Sequence, residues 1–293
     1  MQKSETNQKK ILITGIVRDI EGSIKKDLKT LKEALSPFGL LQYFLVESDS
    51  SDESCSILEA LSKTEPEFYY RSLGKLQRPG IPRTVAMAFS RNEYLKEIRE
   101  NPKFKKIDYV VVADFNQLND QLTHEAIESC FERSDWDACF ANQAGRYYDV
   151  WALRHPIWSP NDCWEQLDFY RRYTKFPEKA LRQCVGSRMI RIPKESEWIP
   201  VDSAFGGFGV YKRESLLVGD YVGTRIDGSP ICEHVPFHAS LKQNGMKLFI
   251  NPNLINTKST DHSERMGISH TLFRLSKYPL KIVKKLISRF LTN

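Results

Sequence analysis

Residues 107–116, IDYVVVADFN, end an apolar run on two oxygen-bearing side chains, Asp114 and Asn116. A carboxylate and an amide at i and i+2 offer hard ligands of the kind taken by a Mg2+ or Mn2+ ion bridging a diphosphate. The same pair also suits the cap of a following helix. A second acidic, hydroxyl-rich turn, Glu47-Ser48-Asp49-Ser50-Ser51-Asp52, offers acceptors to a nucleobase or ribose. It too suits a helix cap, although Glu47 still falls within a strand pattern. Arg83, Arg91 and Asn92 share one helical stretch, RTVAMAFSRN (83–92). Its arginines fall about 80° apart around a helix, which fits either a bidentate phosphate clamp or a solvated face.

Two more groups follow. Phe205–Glu214, FGGFGVYKRE, clusters Gly206, Gly207 and Gly209 just after Asp202. Such glycines permit positive φ and close approach of backbone to a ligand, or make an ordinary tight turn. Glu233 and His234 open a helix that has Pro236 in its first turn and stops at Asn244-Gly245. His234 and His238, at i and i+4, match a metal-binding spacing without an obvious third ligand, and hydrogen-bonded core histidines match it as well.

The elements that must position these groups alternate in type. Strand patterns cover Ile11–Val17, Leu41–Glu47, Phe68–Tyr70 and 107–114, separated by helical patterns at Glu21–Ser36, Asp52–Ser62 and Pro82–Arg99. A helix at Thr123–Glu132 and strands at Ala138–Asn142 and Tyr148–Leu153 lead into an aromatic-rich insertion, Trp158–Phe176. Alternation of this kind predicts an α/β fold: a doubly wound, mainly parallel central sheet flanked by helices. Ligands of such sheets bind beyond the carboxyl ends of the strands, where the acidic turns fall. One domain over 11–262 is expected, after a polar, disordered leader (1–10) and before a basic amphipathic segment (263–293).

Composition narrows the function classes. The 293 residues are 41% hydrophobic and 27% charged, as in a soluble globular protein. A net charge of +6 with no basic block interleaved with aromatics argues against nucleic acid. The six cysteines are scattered without a CxxC pair, which fits free thiols in a reducing compartment. No stretch reads as a signal peptide or a membrane span, so a cytoplasmic protein is expected. Residues 279–291 place Val283, Leu286, Ile287 and Phe290 on one helical face among Lys281, Lys284, Lys285 and Arg289. That pattern suits peripheral contact with an anionic membrane, and equally docking on the domain itself or on a second subunit.

Taken in order, these groups resemble the signature of GT-A fold glycosyltransferases. Asp114-Phe115-Asn116 resembles their Asp-x-Asp metal motif, Phe205–Glu214 their glycine-rich loop, and Cys232-Glu233-His234 their x-Glu-Asp segment. His262 is similar in placement to their carboxyl-terminal metal histidine. RTVAMAFSRN (83–92), YYDVWALR (147–154) and CEH (232–234) resemble stretches of the fungal capsule-associated mannosyltransferase family. The resemblance implies transfer of a sugar from a GDP- or UDP-sugar to a glycan or lipid-linked acceptor in surface polysaccharide synthesis, with Mn2+ or Mg2+. It implies Asp114, Asn116 and His262 at the metal, and Arg83 and Arg91 at the leaving diphosphate, with Asn92 and the Gly206-Gly207 loop beside them. Thr14, Gly15, Arg18 and Glu47 would hold the nucleoside, and Asp149 and Asp202 the sugar hydroxyls. Glu233 would orient or deprotonate the acceptor, and the aromatic insertion would stack on acceptor sugars.

Two departures stand out. Asn116 replaces a second metal carboxylate, and His234 stands at the catalytic position where many inverting members place an Asp, which leaves Glu233, Asp202 or no side-chain base at all. Both keep alive a degenerate domain that binds glycans without catalysis. A sugar nucleotidyltransferase would carry a glycine-rich phosphate loop after the first strand, where TGIVRDIEGS has too few glycines.

Overall fold

A computed structural model describes residues 9–258. His262, the segment 279–291 and residues 1–8 lie outside the described residues. Eight strands are β1 (Lys9–Val17), β2 (Gly39–Glu47), β3 (Phe68–Ser72), β4 (Tyr109–Ala113), β5 (Ala138–Gln143), β6 (Ile199–Pro200), β7 (Phe208–Lys212) and β8 (Leu248–Thr257). Seven α-helices are α1 (Ile24–Leu35), α2 (Ser54–Thr64), α3 (Arg83–Glu100), α4 (His124–Glu128), α5 (Cys163–Tyr173), α6 (Pro177–Cys184) and α7 (His234–Gln243).

The strands form one sheet in the order β3-β2-β1-β4-β7-β5-β8-β6. Pairs β1–β2, β1–β4, β2–β3 and β5–β8 are parallel, while β7 runs antiparallel to both neighbours and β6 antiparallel at the edge. The expected α/β class, with a mainly parallel sheet between helices, is what forms. Chain order reverses at β1, which pairs with β2 on one side and β4 on the other, so the crevice between β1 and β4 is a switch point.

Alternating side chains explain why β1 and β4 lie in the middle. Leu12, Val110 and Val112 face one core with Ala88, Leu95 and Ile98 of α3. Ile11, Ile13 and Val111 face the other with Ile24, Leu31 and Leu35 of α1. A run apolar on both faces is stable only with helices on both sides. Leu12 is fully buried. Leu12→Ala should therefore cost about 2–5 kcal/mol of folding free energy in denaturant titration.

Three elements differ from expectation. β1 starts at Lys9 and so includes two residues assigned to the leader. The helix expected over Thr123–Glu132 is the short α4, because the chain turns to bury Trp136, whose indole N–H donates to the carbonyls of Cys130 (2.8 Å) and Arg133 (2.9 Å). Tyr148–Leu153 is not a strand. Asp149 accepts the Ala152 N–H and the Val150 N–H bonds Tyr148 O, so the segment folds on itself as a turn.

Candidate active site

The crevice at the switch point opens into two lobes. The first, about 250 Å³, lies beyond β1 and β2 and is lined by residues including Arg18, Asp49, Gln77, Ser90 and Asn116. The second, about 560 Å³, is lined by residues including Tyr148, Asp149, Trp151, Trp164, Glu233 and His234. Arg83, Met87, Asp114 and Leu118 border both, so Asp114 stands at their junction.

Backbone contacts hold Asp114 there. It is the residue just after β4; its N–H donates to Gly207 O (2.9 Å), and its carbonyl accepts from Asn119 Nδ2 (2.6 Å). Gly206 and Gly207 have φ of 68° and 82°, the region that favours glycine. A Cβ on Gly207 would lie 2.7 Å from the Tyr148 hydroxyl, so this loop can approach the site only without a side chain. Behind it, Asn256 Nδ2 donates to Gly206 O (2.8 Å) and Asn119 Oδ1 (3.0 Å), and Gln143 Nε2 donates to Gly206 O and Asn256 Oδ1 (both 3.2 Å). These three buried amides tie β4, β5, β8 and the glycine loop together. Sequence reasoning missed them; the only signal was an amide within the apolar strand pattern, as in Ile255-Asn256.

Arg91 is the electrostatic centre. It is buried on α3, yet donates from Nε to Glu233 Oε1 (2.8 Å) and from Nη1 to the Tyr94 hydroxyl (3.4 Å), with Nη2 3.5 Å from Asp114 Oδ1. The rings of Phe205 (5.3 Å) and Tyr221 (5.6 Å) flank the guanidinium. Burial opposes its charge, but Tyr94, Glu233 and Asp114 more than offset that, and Arg91 stays protonated. Burial pushes the Asp114 carboxyl up to about 6, against the pull of Arg91 and with help from Asp149 and Glu233. Asp149 is raised as well, again chiefly by burial, although it accepts the Gly206 N–H at 2.9 Å.

The two histidines of α7 divide their roles. His238 bonds Ser203 Oγ through Nδ1 and the Tyr211 hydroxyl through Nε2, both at 2.9 Å, so it is a core residue. His234 stacks on Phe205 (ring centroids 4.0 Å apart), and neither of its ring nitrogens has a hydrogen-bond partner among the described residues. Burial, with the Arg91 charge, holds His234 well below the usual imidazole range and lowers His238 to about 3. A lowered His pKa means that below pH 6.5 the unfolded chain gains a proton that the folded chain refuses, so stability falls on acidification. His238→Gln should remove the His238 share of that dependence and leave the His234 share in place. Its stability, measured against the parent, should decline less by about 1.4 kcal/mol per pH unit as pH drops from 6.5 toward 3. Parallel curves would refute the assignment.

The expected site residues divide between the two lobes, with Arg83 and Asp114 common to both. Arg18, Arg83, Asp114 and Asn116 border the first lobe, and Arg91, Asp149, Glu233 and His234 the second. Glu47 is buried away from both, its carboxylate accepting the Ser50 N–H (3.0 Å) and the Ser72 hydroxyl. Ser48 and Asp49, the next two residues of that turn, line the first lobe instead. Thr14 is buried and donates to Phe44 O, and Gly15 packs on the Ala113 carbonyl; neither lines a lobe. Asn92 clamps the backbone of Tyr221 through both its amide atoms (2.8 and 3.0 Å). Asp202 is exposed beside Lys242, outside both lobes. Of the insertion aromatics only Trp164 borders the cleft.

Among the described residues no three His, Cys, Asp or Glu side chains could by themselves hold a metal ion. Asp114 and Asn116 do share one wall, and the partly buried Asp114 carboxylate is committed to no bond closer than 3.5 Å among the described residues. The Asn116 turn (φ 76°) is fixed from behind by Asp27, which accepts the N–H groups of Asn116 and Gln117 at 2.8 Å each. One carboxylate and one amide fit a small divalent ion that completes its shell from phosphate and water.

No family model matches this chain. No curated protein matches it either. Among solved structures it is similar to the mannosyltransferase PcManGT from Pyrobaculum calidifontis in complex with GDP-Man and Mn2+, with 15% identity and a TM-score of 0.49 over 92% of this chain. It is also similar to S. aureus TarS 1-349, with 12% identity and a TM-score of 0.48 over 85% of this chain. The complex of TarS 1-349 with UDP-GlcNAc gives 12% identity and a TM-score of 0.47 over 87%. The chain spans 60% of the length of each of these structures. Among the described residues no helix is long and apolar enough to cross a membrane.

Proposed function

We propose that this protein is a metal-assisted glycosyltransferase that moves a sugar from a nucleotide-sugar to a glycan or lipid-linked acceptor. The observation that carries the reading is Asp114, set at the junction of two lobes beyond the carboxyl ends of β1 and β4. One lobe would take the nucleoside and the other the sugar and acceptor, leaving the diphosphate beside Asp114 and Arg83. Lobes of this size fall near the range of small-molecule sites, roughly 300–1,000 Å³.

Each side chain then has a task. Asp114 and Asn116 would share the ion with the diphosphate, and a divalent ion there offsets charge on the leaving group. Arg83 pairs with no acidic group among the described residues and borders both lobes, which frees it for phosphate. Asp149 would receive sugar hydroxyls. Glu233, held by Arg91, would orient the acceptor, while the unpartnered nitrogens of His234 would exchange hydrogen bonds with it. The sequence resemblance favours mannose as the transferred sugar and surface polysaccharide as its destination.

The test is a hydrolysis screen of GDP- and UDP-sugars with Mn2+ or Mg2+, read as released nucleoside diphosphate. At least one donor should be consumed only with metal. Absence of release from every donor, together with no metal-dependent nucleotide binding in calorimetry, would overturn the reading.

A further inference from the structure

α5 and α6 carry an exposed aromatic cluster that the cleft does not use. Phe169, Tyr173 and Phe176 are 59%, 77% and 68% exposed. Phe169 touches both Tyr170 (ring centroids 6.0 Å) and Tyr173 (5.2 Å), so three rings form one continuous surface. The helices are held from the other side, by buried Cys163 and Leu167 of α5 and Ala180 and Cys184 of α6. Three largely bare rings on one short stretch are unusual for a surface that meets only water.

Basic side chains follow the rings along the chain and surround Phe176. Residues 168–182, DFYRRYTKFPEKALR, hold five basic side chains (Arg171, Arg172, Lys175, Lys179, Arg182) against two acidic ones. Arg171 is the one of the five that pairs with an acid among the described residues, at 3.5 Å from Asp168. Lys175, Lys179 and Arg182 line the same hollow as Phe176. An uncharged glycan would need the rings but not the cations. A second copy would set positive charge against positive charge.

We propose that this aromatic and basic face docks on the surface of an anionic lipid bilayer. The rings enter the headgroup boundary while the cations pair with lipid phosphates, the combination that holds interfacial segments in place. Trp164, on the same helix and about 9 Å along its axis from Tyr170, lines the second lobe, so the bilayer would lie near that lobe.

Co-sedimentation of the full-length protein with vesicles tests the proposal. The parent should bind mixed phosphatidylcholine–phosphatidylglycerol vesicles, bind phosphatidylcholine alone weakly, and lose binding as salt rises. F169S/Y173S/F176S should lower the affinity by about tenfold or more. K175E/K179E/R182E should lower it comparably and flatten the salt dependence. Neither variant touches the core, so both should keep the parental melting temperature. Three results would overturn the proposal: no vesicle binding by the parent, full binding by both folded variants, or sedimentation velocity showing a parental dimer that F169S/Y173S/F176S dissociates.

Discussion

Asp114→Asn is expected to lower metal-dependent donor turnover by about 10³-fold or more while leaving the fold at least as stable at neutral pH. The two halves of this expectation have one cause. Asp114 is pushed up to about 6 chiefly by burial, so its ionised form is less welcome in the folded protein than in the unfolded chain. An acid with a raised folded pKa subtracts stability above that pKa, and the loss is relieved as pH falls from 6 toward 3.8. Asn keeps the shape and removes the charge, so the melting temperature at pH 7 should equal or exceed the parent's. Turnover should collapse because two neutral amides, with no carboxylate left between them, would hold the ion too weakly beside the diphosphate. Paired melting and donor-hydrolysis assays check both halves. A folded variant within about tenfold of parental turnover would remove Asp114 from the chemistry.

Arg91→Ala should be the most destabilising single change in the site, by about 3–5 kcal/mol. The substitution leaves Glu233 buried beside an unpartnered His234, without the cation 2.8 Å away that compensates its charge. Replacing both partners, as Arg91→Met with Glu233→Leu, removes the stranded charge and should recover most of that loss. Activity should not return with it, because the cleft would have lost Glu233, the carboxylate proposed to orient the acceptor. Denaturant titration and donor turnover on the single and double variants separate the structural from the functional share. A single variant with parental stability would mean that the Arg91–Glu233 pair is not formed.

How far the sequence could be read follows from how far apart the causes lie. β1, β2 and β4 stand out because strands buried on both faces must be continuously apolar, and Val110-Val111-Val112 are. The antiparallel insertion of β7 between β4 and β5 leaves no such local mark, since it depends on partners about 100 and 70 residues away. Tyr148–Leu153 has the alternation of a strand, but Asp149 bonds the backbone of its own segment, and a short acidic side chain competes well with a sheet ladder. Within the site, Arg83 and Arg91 look alike as letters two helical turns apart. One is exposed at the cleft and the other is sealed among Tyr94, Glu233 and Phe205, which only the packing of α3 on α7 and the 219–223 loop decides. Glu47 and Asp49 differ by two positions, enough to send one carboxylate inward and leave the other at the crevice.

The amide brace behind the glycine loop has a consequence for the order in which the molecule matures. Asn119 and Asn256, which meet at 3.0 Å, are 137 positions apart. Contacts of such separation form late, after the entropy of closing a long loop has been met. During synthesis the β1–β4 half emerges first and can collapse on its own apolar faces. Asp114, however, receives its backbone anchor only when Gly207 arrives, and that loop is secured only when Asn256 leaves the ribosome. A nascent chain halted short of β8 would thus lack the brace that sets the glycine loop, and the crevice would be completed only within the last stretch of the described residues.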